Sequence, residues 1–250
     1  MTPMRWNRTA RETAPDAGTR SDRPQVRLPF TDRTEAGRVL AERLVPMDLD
    51  GAVVLALPRG GVPVGYEVAR RLSTPDAPVP LEVLVTRKIG YPPQPELGVG
   101  AIAEGGEPVF DQGLLGRLGL DEGDLAGTVE AERAELARRV AAYRGDRPLP
   151  ELGDRPAIVV DDGLATGGTA RAALRAVRRH HPSRLVLAVP VGAAETVAAL
   201  EREADDVVVL AAPVSFQAVG QWYTQFEQLT DEDVIAWLER DAAERANSRK

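Results

Sequence analysis

The chain has 250 residues, of which 43% are hydrophobic and 28% charged, with a formal net charge of -7 and no cysteine. This length allows one α/β domain with extensions or two small domains, and the acidic balance argues against nucleic acid as a main partner. The lack of cysteine excludes a disulfide framework, a thiol nucleophile and a cysteine metal site. No stretch approaches the roughly 20 apolar residues of a membrane helix. We therefore expect a cytoplasmic protein with neither a nucleic-acid nor a membrane partner.

The first segment, residues 1–27, mixes Arg, Thr, Asp and Pro without an apolar block. This composition predicts a disordered tail and no secretory signal. The first helix is expected over Phe30–Val45, because Asp32 and Glu35 form a capping-box pattern ahead of an apolar stripe.

A short loop after the first expected strand carries candidate binding residues. Ala52–Leu57 is an apolar run typical of a buried strand, and Val62–Leu72 has helical spacing. Between them stand Arg59, Gly60 and Gly61. A guanidinium can bind phosphate oxygens in a bidentate manner, and glycine N–H groups can add to it. Taken alone, the motif favours an exposed arginine beside a tight turn.

The next expected strand, Leu81–Thr86, is followed by two cations, Arg87 and Lys88. Ligands of open α/β sheets bind outside the carboxyl ends of the strands, so these cations suit a pyrophosphate group. A solvated basic turn is the alternative for Arg87. The Gly- and Pro-rich stretch Ile89–Glu107 predicts a long loop of the kind that often acts as a lid. Near its end, Ala101–Glu104 suits a short strand whose glutamate is either a site carboxylate or an edge residue.

Asp121–Arg144 predicts a long, highly charged helix with a sparse apolar stripe. We interpret residues 105–154 as a helical insertion that packs on the domain edge or at a subunit interface.

The most informative stretch runs from Ala157 to Thr169, where an apolar strand leads into Asp161 and Asp162 and a helix is expected to begin near Gly168. Glycines expose N–H groups, a helix N-terminus favours anions, and threonine hydroxyls add donors, so the loop suits a phosphate. The carboxylates repel phosphate and suit hydroxyl groups or a hydrated cation on the same ligand. A phosphate with nearby vicinal hydroxyls describes a 5-phosphoribosyl group. The residues of the loop are Gly163, Leu164, Ala165, Thr166, Gly167, Gly168 and Thr169.

Two commoner phosphate loops do not match this stretch. The ATP-binding P-loop needs Gly-Lys-Ser/Thr, and the loop has no lysine. The dinucleotide fingerprint places its glycines before the acidic residue, whereas the acids come first in this chain. An apolar strand, Asp-Asp and Gly-x-x-Thr-Gly-Gly-Thr instead resemble the phosphoribosyl-pyrophosphate (PRPP) signature of the type I phosphoribosyltransferases.

The resemblance covers about residues 30–212, with the insertion as a gap. It implies transfer of 5-phosphoribose from PRPP to a small nitrogen acceptor such as a nucleobase, with pyrophosphate release through an oxocarbenium-like transition state. It also implies Mg²⁺ and a homodimer. Asp161, Asp162 and Lys88 would be catalytic, and the two aspartates would hold the metal, directly or through water. PRPP would be bound by Arg59, Gly60, Gly61, Arg87 and the loop from Gly163 to Thr169.

The C-terminal part, residues 211–250, concentrates five of the eleven aromatic residues of the chain. Family members close the acceptor pocket with a variable hood, which would be residues 211–240 in this chain. Phe216, Trp222 and Tyr223 are candidates for stacking on the acceptor, and core packing of Trp222 with Phe226 is the alternative. A last helix is expected to open at Thr230, and residues 241–250 to fray.

Strands alternate with helices along the chain. This order predicts a Rossmann-like, mainly parallel twisted sheet flanked by helices, in one domain over residues 28–240. Two other functions stay open. One is a PRPP-sensing regulatory module without turnover. The other is a phosphate-transfer enzyme with Asp161 as nucleophile, which the missing Asp-x-Asp-x-Thr motif disfavours.

Overall fold

The computed structural model of the chain describes residues 26–247. Of the expected tail, residues 1–25 lie outside the described residues, as do residues 248–250. The described helices are α1 (Arg33–Leu44), α2 (Gly61–Leu72), α3 (Gln112–Leu118), α4 (Ala126–Arg144), α5 (Gly168–Arg178), α6 (Ala194–Leu200) and α7 (Asp231–Asn247). The described strands are β1 (Val53–Ala56), β2 (Leu81–Val83), β3 (Thr86–Tyr91), β4 (Gln94–Ala103), β5 (Val109–Phe110), β6 (Pro156–Val160), β7 (Arg184–Val191) and β8 (Asp206–Ala211).

Five parallel strands form the central sheet, in the order β2-β1-β6-β7-β8. β1 and β6 are far apart in sequence but pair in register, with Val53 opposite Ala157. Every residue of β1 is buried, because both faces of the sheet are covered. Val54 faces a core built with α1, α2 and α7, while Val53 and Leu55 face a core built with α5 and α6. The expected parallel sheet with flanking helices is confirmed.

The chain leaves the central sheet after β2 and forms a second, antiparallel sheet from β3, β4 and β5. The expected strand Leu81–Thr86 is therefore wrong at its end, because β2 stops at Val83 and Thr86 begins β3. Leu84 and Val85 are fully buried where the chain crosses between the sheets, which explains why the apolar run continues past β2.

The expected loop Ile89–Glu107 is also wrong, because β3 and β4 form a hairpin in which Tyr91 pairs with Gln94. The glycines of this stretch allow close packing within the sheet. A Cβ at Gly98 would lie 3.0 Å from the Cδ atom of Lys88, and a Cβ at Gly100 would lie 2.8 Å from the ring of Phe110. The expected short strand Ala101–Glu104 corresponds to the end of β4, which runs to Ala103.

The insertion over residues 105–154 contains β5 and α3 in addition to the expected long helix. That helix begins at Ala126 rather than Asp121. The carboxylate of Asp124 accepts a 2.9 Å hydrogen bond from the backbone N–H of Asp121, and that of Asp121 accepts a 3.1 Å bond from the N–H of Asp124. These bonds hold the chain in a turn before α4.

Among residues 26–247, one ion pair connects α4 to the antiparallel sheet, and two connect α4 to the segment that follows β4. Arg87 contacts Glu132 at 2.7 Å, and Arg133 contacts Glu107 at 3.2 Å. Arg144 pairs with Glu104 and also donates a 2.9 Å hydrogen bond to the carbonyl oxygen of Val83. Glu104 is thus a structural partner of the insertion.

The predicted hood consists of two parts: the hood segment, which we define as residues 212–230, and the first turns of α7. Thr230 and Asp233 cap α7 as expected, with a 2.8 Å hydrogen bond from the Thr230 N–H to the Asp233 carboxylate. The expected fraying from residue 241 is wrong up to Asn247. Asp241 is buried and accepts a 2.7 Å hydrogen bond from Arg245 one turn later. None of the helices described over residues 26–247 is long and apolar enough to span a membrane.

Candidate functional site

The acidic pair lies at the carboxyl end of β6, in the middle of the central sheet. The side chain of Asp162 is 13% exposed. The Oδ1 atom of Asp161 accepts a 2.8 Å hydrogen bond from the backbone N–H of Asp162. This position is expected for ligand-binding residues, since the loops of a parallel sheet converge outside the carboxyl ends of its strands.

Burial and mutual repulsion set the charge state of the pair. Burial raises the pKa of Asp161 well above its ordinary value of 3.8, and the neighbouring Asp162 carboxylate raises it further. Burial also raises the pKa of Asp162, whereas the guanidinium of Arg33 lowers it. A site of two close carboxylates is stabilised by an added cation or by hydroxyl donors, as the sequence predicts for this pair.

Arg33 is a site residue that the sequence did not reveal. It stands in the first turn of α1, and its Nε atom donates a 2.9 Å hydrogen bond to Oδ2 of Asp162. Its Nη1 atom donates a 3.0 Å hydrogen bond to the carbonyl oxygen of Glu227, and its guanidinium carbon lies 3.8 Å from the centre of the Phe226 ring. Nothing local marks an arginine that pairs across more than 100 residues of sequence.

The loop between β1 and α2 approaches the acidic pair so closely that only glycine fits. A Cβ at Gly60 would lie 1.9 Å from Oδ2 of Asp162, and a Cβ at Gly61 would lie 2.6 Å from the carbonyl oxygen of Val160. The structure thus brings together the two glycine-containing motifs that the sequence singled out. This contact explains Gly60 and Gly61, whereas a Cβ at Gly163 would meet the side chains of Val219 and Val191 instead.

The glycine-rich loop connects the acidic pair to α5, which begins at Gly168 as expected. Gly167 has a φ of +73°, a conformation that favours glycine. The backbone N–H of Leu164 donates to Val191 at 2.9 Å, and the Thr196 hydroxyl donates to the Ala165 carbonyl at 2.6 Å. These bonds fix the loop at the N-terminus of α5, where unpaired N–H groups and the helix dipole favour an anion.

A cavity of about 460 Å³ opens beside this loop. Lys88 from β3 and Thr166, Thr169 and Arg171 from the loop and α5 supply donors to it, while Phe110 is part of its apolar wall. Arg171 is a cavity residue beyond those that the sequence motifs predict. In the sequence, Arg171 is marked as a basic residue in the first turn of the helix that follows the glycine-rich loop. The cavity therefore combines a helix N-terminus with two cationic side chains, which suit a phosphate ester, and the acidic residues Glu96 and Asp111 also line it.

The three predicted cations have different surroundings. The Nζ atom of Lys88 donates a 3.0 Å hydrogen bond to the carbonyl oxygen of Glu96 across the hairpin, and its side chain is 46% exposed. Arg59 points toward α7, with Nη1 at 4.0 Å from Asp231. Arg87 is held by Glu132 of α4 and lines a second hollow between the hairpin and α4, which Lys88 also lines. The structure places Lys88 beside the glycine-rich loop, whereas Arg87 contacts the insertion.

The three predicted acceptor residues lie in one cluster with different exposure. Tyr223 is buried, its ring stacks on Phe226 with centroids 5.0 Å apart, and its hydroxyl bonds to Asp162. Phe216 and Trp222 are half-buried, with ring centroids 6.1 Å apart. Trp222 and Phe226 pack in this cluster, but no single helix carries both. Phe216 and Trp222 are thus the more accessible aromatic candidates.

Over residues 26–247, no group of three or more His, Cys, Asp or Glu side chains forms a ready-made metal cage. The two carboxylates of Asp161 and Asp162 supply hard oxygen ligands of the kind that Mg²⁺ prefers. Mg²⁺ usually takes one or two carboxylates and completes its shell with water and substrate oxygens. The pair fits such a partial site, although one oxygen of Asp162 is bonded to Arg33.

Known proteins share this architecture. The crystal structure of TT1426 from Thermus thermophilus aligns with a TM-score of 0.71 and 43% sequence identity, covering 85% of this chain and 99% of that chain. A curated protein of Mycobacterium tuberculosis H37Rv, provisionally named a phosphoribosyl transferase, is 46% identical over 211 residues. That alignment covers 84% of this chain and 46% of the mycobacterial protein, so the chain spans about half the length of that relative.

A uracil phosphoribosyltransferase of Clostridium beijerinckii is 31% identical over 151 residues, which are 60% of this chain and 69% of that enzyme. A family model described as a phosphoribosyl transferase domain matches residues 38–224, from α1 through the cluster around Tyr223. The match includes the acidic pair, both glycine loops and the hairpin. The chain belongs to the phosphoribosyl transferase family.

Proposed function

We propose that the chain transfers 5-phosphoribose from PRPP to a nitrogen acceptor and releases pyrophosphate. The observation that carries the proposal is the continuous path from Asp161 and Asp162 along the glycine-rich loop to the cavity that Lys88 lines. One end of that path suits vicinal hydroxyls, and the other suits a phosphate ester. Family membership and the shared fold support the same reaction class.

The loop from Gly163 to Thr169 would hold the 5′-phosphate. The loop offers neutral hydrogen-bond donors: its N–H groups at the start of α5 and the hydroxyls of Thr166 and Thr169. Arg171 would add a positive charge one turn into the helix, where it also lines the cavity. Fixing this end of the substrate orients the ribose toward β6, which lowers the entropic part of the barrier.

Asp161 and Asp162 would orient the ribose hydroxyls by accepting hydrogen bonds from them. The C1–O bond to pyrophosphate breaks as a bond forms between C1 and the acceptor nitrogen, so that the electron pair leaves with pyrophosphate and the acceptor's N–H proton passes to solvent. Positive charge develops on the sugar in the transition state. Negative carboxylates close to the ring favour that charge, while Lys88 and Arg59 would stabilise the departing pyrophosphate. Gly60 and Gly61 allow the β1–α2 loop to approach the same centre.

We propose Mg²⁺ as the metal, held by Asp161 and Asp162, directly or through water. When bound, it would neutralise charge on the substrate's pyrophosphate. The hairpin of β3 and β4 would cover the reacting centre and exclude water, since Lys88 and Gly98 line the cavity from this side.

A nucleobase is the acceptor class that we propose, with Phe216 and Trp222 as stacking candidates. The curated uracil phosphoribosyltransferase relative supports an acceptor of this kind. The hood segment, in which both aromatic residues lie, is the part of the site that would select the acceptor.

The test is pyrophosphate release from PRPP with Mg²⁺ across a panel of nucleobases and related amines. The matched control is the double variant Asp161→Asn with Asp162→Asn, checked for its fold by circular dichroism. Release by the wild type with one acceptor and none by the folded double variant is the expected result. PRPP binding by calorimetry without release from any acceptor would favour a sensing module, and absence of PRPP binding would refute the loop assignment.

A further inference from the structure

Arg33 makes three different contacts with one side chain. Its Nε atom bonds to Asp162, its Nη1 atom bonds to the carbonyl oxygen of Glu227, and its flat face lies on the ring of Phe226. Asp162 belongs to the acidic pair, whereas Glu227 and Phe226 belong to the hood segment. The guanidinium is therefore a bridge between the two sides of the proposed site.

The side chain of Arg33 is 11% exposed, so its contact with Asp162 is largely shielded from solvent, whereas its bond to the Glu227 carbonyl lies at the surface. A planar guanidinium can bond in two directions within its plane and stack on an aromatic face at the same time. A lysine can supply the charge to Asp162 but cannot reproduce the fork and the stacked plane. The geometry thus uses properties that only arginine has.

We infer that Arg33 is a positioning residue that holds the hood segment and the Asp162 carboxylate in one fixed arrangement. The inference rests on the proposed function for its kinetic part, because Asp162 would orient the ribose and the hood segment would enclose the acceptor. Its structural part, the bridge itself, is independent of turnover.

Two variants distinguish the effect of Arg33 on the Asp162 carboxylate from its effect on the hood segment. Arg33→Gln removes both the charge at Asp162 and the stacked plane, so kcat should fall and the acceptor KM should rise, each by about tenfold or more. Arg33→Lys keeps a charge near Asp162, so most of kcat should return while the acceptor KM stays raised by about threefold or more. PRPP affinity should change less than the acceptor KM, because the glycine-rich loop that would hold the 5′-phosphate is anchored by hydrogen bonds to Val191 and Thr196.

The matched control is Arg38→Gln on the same helix. Arg38 is 63% exposed, and its partner is Glu67 at 3.5 Å, which no proposed step uses. This variant should keep both kinetic constants of the wild type. A wild-type acceptor KM in Arg33→Lys, or an equal change in Arg38→Gln, would overturn the inference.

Hydrogen exchange in the ligand-free protein tests the bridge without any turnover. Amides of the hood segment should exchange faster in Arg33→Lys and Arg33→Gln than in the wild type, and at the wild-type rate in Arg38→Gln. Unchanged exchange in both Arg33 variants would refute the bridge even if the wild type is an active transferase. Faster exchange in the Arg33 variants would support the bridge even if the wild type releases no pyrophosphate and the proposed reaction fails.

Discussion

The hydroxyl of Tyr223 donates a 2.6 Å hydrogen bond to the backbone carbonyl oxygen of Asp162. The bond joins the hood segment to the main chain of the acidic pair, next to the side-chain bridge made by Arg33. Burial raises the pKa of Tyr223, so this phenol is a neutral donor throughout the physiological range. The hood segment is thus attached to the carboxyl end of β6 through both backbone and side-chain atoms.

Removing this hydrogen bond should weaken the fold at the site. Tyr223→Phe keeps the ring packing on Phe226 but leaves the carbonyl of Asp162 without its donor, which should cost about 1–3 kcal/mol of unfolding free energy. Urea denaturation measures the loss. Tyr91→Phe on the hairpin is the control and should change the unfolding free energy by less than about 0.5 kcal/mol. Equal midpoints for the wild type and Tyr223→Phe would contradict the prediction.

A methyl group at Gly60 should disturb the site. The Cβ of Gly60→Ala would collide with the Asp162 carboxylate, so the loop or the carboxylate must move, at a cost of about 1–3 kcal/mol. The affinity for PRPP, measured by calorimetry, should fall as well. Gly127→Ala in α4 is the matched control, because nothing lies within 4 Å of its Cβ, and it should stabilise the chain by about 0.5–1 kcal/mol. Wild-type PRPP affinity in Gly60→Ala would show that the close approach has no role.

Removing only one partner of the buried Arg144–Glu104 ion pair should lower the unfolding free energy more than replacing both partners. The side chains of Arg144 and Glu104 are 3% and 16% exposed. Arg144→Met leaves the Glu104 carboxylate without its cation and should cost about 3–5 kcal/mol, whereas the double variant with Glu104→Leu should recover part of this. Thermal and urea unfolding of the two variants measure the difference. A double variant less stable than Arg144→Met would rule out this account.

We expect substitution of Lys88 to lower turnover and substitution of Arg87 to lower stability. Lys88→Met should lower the rate of pyrophosphate release by about 10²-fold or more, because Lys88 lines the cavity of the glycine-rich loop. Arg87→Met removes the 2.7 Å contact with Glu132 and should mainly lower the melting temperature. Steady-state kinetics and a thermal melt of both variants measure this. A larger loss of turnover in Arg87→Met than in Lys88→Met would reverse the assignment.

The contacts of Asp231 predict a pH dependence of stability. A 2.5 Å hydrogen bond from Tyr143 and a contact with Arg138 hold the pKa of Asp231 below its ordinary value of 3.8. A lowered folded-state pKa stabilises the fold above the unfolded-state pKa, and this stabilisation is lost as the pH falls through the folded-state pKa. The difference in unfolding free energy between the wild type and Asp231→Asn should therefore shrink between about pH 5 and pH 3. A constant difference across that range would contradict the assigned contacts.

The local elements of this site were predictable because their signals are local. The strand before Asp161, the start of α5 at Gly168 and the cap of α1 at Asp32 all follow from short patterns of apolar, acidic and turn residues. The parallel sheet followed from the alternation of strands and helices. Short-range spacing was enough in each of these cases.

The positions at which the structure differs from the sequence-based predictions share one physical cause. Leu84 and Val85 are buried where the chain passes between two sheets, so hydrophobicity alone could not show where β2 ends. The Pro- and Gly-rich stretch after them forms a hairpin because its glycines pack against the neighbouring strands. Arg33 was missed because its partners, Asp162 and Glu227, are distant in sequence. Tertiary contacts decided each of these positions.

The pairing of β1 with β6 has a consequence for how the site is assembled. The two glycine loops belong to strands separated by about 100 residues, and closing a chain segment of this length costs about 4 kcal/mol of entropy. The whole antiparallel sheet and α4 lie within that segment. In a growing polypeptide, the two loops of the proposed PRPP site therefore cannot meet until β6 has been synthesised and has joined β1. Ligand binding during refolding would report this long-range pairing event rather than the formation of any single element.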